Sequence, residues 1–157
     1  MHIETDECLP VSQSLGSRAG GMPKASRDNP FMKLEHVALN VSDPVAVAAW
    51  YSEHLQLRII RHIPIPVQTH FLVDSDSTIL EIYCNPPDKV PDYRSIDPLI
   101  LHLAFASSDP VSDSKRLLSA GASLVGETHL EDGSFLLMMR DPWGLALQLC
   151  KRTTPLI

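Results

Sequence analysis

Residues 36–45, HVALNVSDPV, return as HLAFASSDPV at residues 102–111. Six of the ten positions are identical: His36/His102, Ala38/Ala104, Ser42/Ser108, Asp43/Asp109, Pro44/Pro110 and Val45/Val111. The offset is 66 residues, and a second echo follows at an offset of 67, where Asp74, Leu80 and Glu81 answer to Asp141, Leu147 and Gln148. Two echoes at nearly one spacing mark an internal duplication, so the chain is read as one unit used twice. Each copy begins with an alternating strand. In KLEHVALNV (33–41), Val37, Leu39 and Val41 fall on one face and His36, Ala38 and Asn40 on the other. Ser42 or Asp43 then caps a helix with Pro44 at its first position, where a missing N–H costs nothing.

From this pair the reading extends outward. The first helix is expected to reach about Leu55, with Val45, Ala48, Ala49 and Tyr51 as its buried candidates. Strands follow at 57–63, 69–74 and 78–84. Residues 85–98 hold Pro86, Pro87, Pro91 and Pro98 and read as a linker. The second copy repeats the order: a strand at 100–107, a helix from Pro110 ended by Gly121, then strands at 123–128, 134–140 and 145–151. Turns are expected at Asp132–Gly133 and at DPWG (141–144). Each half has the topology β-α-β-β-β, giving an α+β protein whose modules cover 33–84 and 99–152 within a domain spanning 32–157. Residues 1–31, rich in Gly, Pro and Ser with no sustained period, read as a disordered extension, and Met32 just before the first strand is a candidate start.

At 157 residues the chain has a one-domain length. A net charge of −6 with no Lys/Arg stripe excludes a nucleic-acid footprint. No apolar run approaches the roughly 18 residues of a membrane span. Cys8, Cys84 and Cys150 form no CxxC pair, which fits a reducing, cytoplasmic setting better than a disulfide framework.

Four polar residues stand in otherwise apolar strands: His36, Glu81, His102 and Gln148. Strand parity sets them opposite the Leu/Val face that the helices must cover, among the small side chains of Ala38, Ala104, Ala106 and Ala146. A buried carboxylate there needs a partner or a metal. Two imidazoles, one carboxylate and one amide oxygen suit a divalent Fe, Ni, Zn, Mn or Co ion, and pairing of the two halves would bring all four to one axis. Asn40 and Tyr83 share that face and are candidates to orient a small-molecule substrate. His54, His62, His70 and His129 read as exposed or loop residues. Cys84 reads as a small core residue, and Cys150 shares the parity of Gln148. Trp143 reads as packing its turn. Arg61 and Arg140 are of a type that binds carboxylate or phosphate, without a distinguishing context.

LEHVALNVSDP (34–44), TILEIY (78–83), ILHLAF (100–105) and RDPWGLALQL (140–149) together resemble the vicinal oxygen chelate superfamily, which includes glyoxalase I, bleomycin- and fosfomycin-resistance proteins and extradiol dioxygenases. The resemblance covers Lys33–Arg152. It implies paired modules forming a cupped eight-stranded mixed sheet around a divalent metal, with ligands at His36, Glu81, His102 and Gln148. The activity implied is a glyoxalase-like lyase or isomerase handling two vicinal oxygens through a metal-bound enediolate. The last ligand in this family is most often glutamate, also the expected base in glyoxalase-like members. Gln148 cannot take a proton at neutral pH, which leaves Glu81 as the catalytic base. The same substitution opens a second reading, a non-catalytic drug-binding module, and weakens a third, an extradiol dioxygenase. Modules of this family pair within one chain or by exchange between two copies in a homodimer, and the sequence leaves both arrangements open.

Overall fold

The computed structural model describes residues 32–156. The expected extension at 1–31 lies outside the described residues. The chain runs β1 (Val37–Asn40), α1 (Pro44–His54), β2 (Arg58–Ile63), β3 (Thr69–Val73) and β4 (Ile79–Tyr83). A short 3₁₀ turn at Pro87–Lys89 follows, then β5 (Leu103–Ala106), α2 (Pro110–Ser119), β6 (Ser123–His129), β7 (Phe135–Arg140) and β8 (Ala146–Lys151). The α+β class and both β-α-β-β-β modules stand as expected. The eight strands form two mixed sheets of four, ordered β1-β4-β3-β2 and β5-β8-β7-β6, and within each only β1–β4 and β5–β8 run parallel. Both opening strands are shorter than the sequence suggested, so His36 and His102 stand just before β1 and β5.

The repeated SDP is a helix start. The carboxylate of Asp43 accepts from the Ala46 N–H at 3.0 Å, and that of Asp109 from the Ser112 N–H at 3.1 Å. Each such cap contributes about 1 kcal/mol. Asp43, not Ser42, is thus the first cap. The stripe that α1 buries is Pro44, Val47, Ala48 and Tyr51 with Trp50, whereas Val45 and Ala49 face solvent. The i, i+3, i+4, i+7 set wins because it brings the two large aromatic residues inward.

One core cluster spans both modules on their helix-bearing faces, and it includes Leu72, Leu80 and Ile82 of the first sheet and Leu137, Met139 and Leu147 of the second. Polar clasps close this seam. The Trp50 indole N–H donates to the Ala120 carbonyl at 2.8 Å, and the Tyr51 hydroxyl donates to Asp141 at 2.8 Å. Asp141 also accepts the N–H groups of Trp143 and Leu145, and Trp143 packs edge-on against Trp50, so DPWG packs its turn as expected. Gly144 adopts φ +98°, and a Cβ there would stand 2.9 Å from the Arg94 backbone nitrogen, so the turn admits only glycine.

Burial raises the Asp141 carboxyl above its ordinary value, against the lowering effect of the Tyr51 hydroxyl and three backbone N–H groups. The folded state therefore holds the Asp141 proton more tightly than the unfolded chain does. Its contribution to stability is full below the unfolded value of about 3.9 and is lost as pH rises through the raised folded value. Asp141→Asn has no such titration. Urea unfolding between about pH 4 and 7 should show the wild type gaining on the variant as pH falls, whereas parallel curves would sever this link.

Several residues serve structure where the sequence suggested otherwise. Both polar atoms of the Asn40 side chain bind the start of the linker, the amide donating to the Pro86 carbonyl at 3.1 Å and the oxygen accepting from the Asn85 N–H at 2.9 Å. Asn40 thereby anchors the linker to the end of β1. Arg140 donates to the carbonyls of Tyr93, Ile96 and Gly144, which fixes the far end of the linker. His70 is buried in β3, with Nδ1 on the Gln68 carbonyl, and is no exposed loop residue. Cys84 is only half-buried.

Candidate metal and proton-transfer site

In each sheet the face away from the helix carries the candidate residues. Backbone register sets Ala38 beside Glu81 in the first sheet and Ala104 beside Gln148 in the second. His36 reaches from the start of β1 onto this face. Its Nε2 stands 3.1 Å from Glu81 Oε2, and its Nδ1 stands 2.7 Å from Glu35 Oε2. The Phe71 ring closes the other side, edge-on to the imidazole at 5.9 Å between centroids.

A carboxylate only accepts, so a neutral His36 bound to Glu35 carries its hydrogen on Nδ1 and presents a lone pair at Nε2. That lone pair then faces another carboxylate at 3.1 Å. Two acceptors at that distance repel unless a proton or a metal cation lies between them. Ligands about 2.1 Å from one ion and at right angles to each other are about 3 Å apart, so the separation suits a shared divalent cation.

His102 is prepared in the same way. Its Nδ1 lies 2.8 Å from the Pro98 carbonyl, which leaves Nε2 free as a ligand atom. The amide oxygen of Gln148 accepts from the Cys150 thiol at 3.2 Å. Burial raises the Cys150 thiol, with Arg152 opposing, so it stays a protonated donor. The hydroxyl of Tyr83 makes no hydrogen bond among the described residues and stays available to a ligand. The sequence reading missed Glu35, Pro98 and Cys150 as orienting partners. Only Glu35, acidic and adjacent to His36, left a signal in the sequence.

The structure brings His36 and Glu81 together, but it does not gather them with His102. Among the described residues no three His, Cys, Asp or Glu side chains form a group able to hold a metal. The face itself is open: Ala38, Ala104 and Ala106 are exposed, and β2 is exposed along its whole length. A groove of about 720 Å³ runs along the ends of β5 and β8 past Cys150 and touches none of the four candidate ligands. His36 and Glu81 form one half-site by geometry, and His102 and Gln148, at the equivalent positions of the second module, are its counterpart by the repeat alone. By donor type the four residues fit a borderline divalent metal. Among the described residues no helix is long and apolar enough to cross a membrane.

Comparison with known proteins agrees with this fold. A glyoxalase family protein from Enterococcus faecalis is 28% identical, with a TM-score of 0.61 over 77% of this chain and 98% of that one. A glyoxalase family protein from Bacillus cereus, 21% identical, gives a TM-score of 0.64 over 80% and 97%. A genomically encoded fosfomycin resistance protein from Listeria monocytogenes, 16% identical, gives 0.61 over 78% and 95%. The last two likenesses concern the fold alone. No curated protein matches the chain significantly. The profile of one family matches residues 33–149, and the chain belongs to it: the Glyoxalase/Bleomycin resistance protein/Dioxygenase superfamily.

Proposed function

We propose that this protein is a glyoxalase-like lyase or isomerase that moves a proton between adjacent carbons of a small vicinal-oxygen compound. The observation that supports this is the His36–Glu81 pair, with Nε2 and Oε2 3.1 Å apart and the imidazole oriented from behind by Glu35. A divalent metal, common in this superfamily, would be held by His36, Glu81, His102 and Gln148 and would supply Lewis acidity to the two substrate oxygens. Glu81 is the sole carboxylate among these four, and it takes the proton from one carbon and returns it to the next. Tyr83, four strand positions from Ile79 and on the Glu81 face, offers a free hydroxyl to a substrate oxygen.

The half-sites are completed by a second copy. His36 and Glu81 of one protomer then meet the partner's His102 and the partner's Gln148, and the exposed faces of the two modules become one cup in a homodimer. Protein purified without chelator should contain a divalent metal and should wash deuterium into an α-hydroxyketone. Protein that carries no metal and exchanges no proton would overturn the reading. A non-catalytic binding module is the second reading. It is favoured by the Cys150 thiol on Gln148, which satisfies a neutral amide at the position where the family most often carries glutamate. It predicts ligand binding without turnover or metal.

A further inference from the structure

A line of side chains crosses the first sheet. Arg61 on β2 pairs with Phe71, Phe71 with Glu81, and Glu81 with Ala38. Cross-strand partners share a face, so Arg61 stands on the face of the His36–Glu81 pair. The Phe71 ring lies between them: the Arg61 guanidinium carbon is 5.9 Å from its centroid, and the His36 ring is 5.9 Å from the same point. The guanidinium and the imidazole are therefore within twice that distance of each other.

This placement depends on a local device. The register between β2 and β3 shifts between Ile59 and Arg61. Plain alternation from Arg58, which pairs with Val73, would put Ile60 on this face and turn Arg61 away. The bulge brings Arg61 opposite Phe71 instead. The second module has the same irregularity between Leu124 and Gly126, and there the equivalent line reads Gly126, Met138, Gln148, Ala104. The duplication thus preserved the bulge and put a cation on it in one half only. Among the described residues no carboxylate lies within 4.0 Å of Arg61.

The geometry points to Arg61 as a carboxylate-reading subsite, which makes the substrate a vicinal-oxygen compound carrying a distal carboxylate a few bonds from the carbons that exchange the proton. This rests on the proposed role of the His36–Glu81 pair. The planar guanidinium takes a carboxylate through two parallel N–H donors. Gly126 and Met138 supply an uncharged counterpart.

The test uses two matched probes, 2-oxoglutarate and 2-oxopentanoate, which share the vicinal oxygens and differ in the terminal carboxylate. Each is titrated into the full-length protein as purified and followed by protein NMR. Wild type should bind 2-oxoglutarate about ten- to a hundredfold more tightly, the range expected of a hydrogen bond to a charged group. Arg61→Gln should bring the ratio near one while leaving 2-oxopentanoate unchanged, and Arg58→Gln on the same strand should keep the wild-type ratio. A phosphonate in place of the distal carboxylate should bind less well than 2-oxoglutarate; a stronger phosphonate response would overturn the carboxylate assignment. Equal binding of both oxo acids by wild type would overturn the subsite alone. Failure of wild type to bind either would overturn the proton-transfer site and the subsite with it.

Discussion

Equal amounts of His36→Ala and His102→Ala, each metal-free alone, should recover about a quarter of the wild-type metal sites when unfolded together and refolded. The expectation follows from symmetry. If each site joins one protomer's His36 and Glu81 to the partner's His102 and the partner's Gln148, a mixed dimer contains one site with both histidines lost and one fully intact. Random pairing makes half of the dimers mixed. A site built within one chain gives no recovery at any mixing ratio, because every chain carries a damaged set. The structure motivates the first outcome. The three strongest ligand types, His36, Glu81 and His102, do not cluster among the described residues, while the faces that bear them are exposed. Apolar residues at the approaches to β1 and β5 point the same way: Leu34, Leu99 and Ile100 are each more than three-quarters exposed. Burying such side chains against a second copy contributes about 1.5–3 kcal/mol apiece. Sedimentation of the wild type supplies the control, since a monomer that holds metal would rule out exchange.

Much of this was legible in the sequence because period and repetition report on burial. Alternation placed Leu80 and Ile82 inward and Glu81 outward, and the structure agrees. The repeated SDP located both helix starts to the residue. Parity alone does not report what a polar side chain is bonded to. Asn40 lies at the end of β1, where the linker leaves the sheet, and its amide satisfies linker backbone groups that no pattern reveals. Arg140 is taken up the same way, by three carbonyls from two separate segments. Arg61 was named as an anion-binding type, but no face was assigned to it. A bulge adds one residue to the count, so simple alternation assigns the wrong face from that point on. The gathering of the four candidate ligands was also beyond alternation, because parity gives the face a residue occupies and not whether two faces meet in one chain.

Glu81→Gln should lower proton exchange by about a hundred- to ten-thousandfold, the usual contribution of a positioned general base. Metal content should fall far less, because an amide oxygen remains a ligand and His36 keeps its Glu35 support. The double variant Glu81→Gln with Gln148→Glu makes this decisive. It moves the single carboxylate from one repeat position to the equivalent one, keeping the donor set and the net charge. If the site requires only a carboxylate on either arm, exchange returns in the double variant with the opposite face of the substrate deprotonated. If catalysis depends on the pairing of Glu81 with His36 and Phe71, the double variant stays inactive while holding metal as well as the wild type. Undiminished exchange in Glu81→Gln alone would remove Glu81 from the chemistry. The asymmetry matters because the duplication began with equal halves. Gln148, held by the Cys150 thiol, offers an oxygen that cannot accept a proton at neutral pH, and Glu81 offers the one that can.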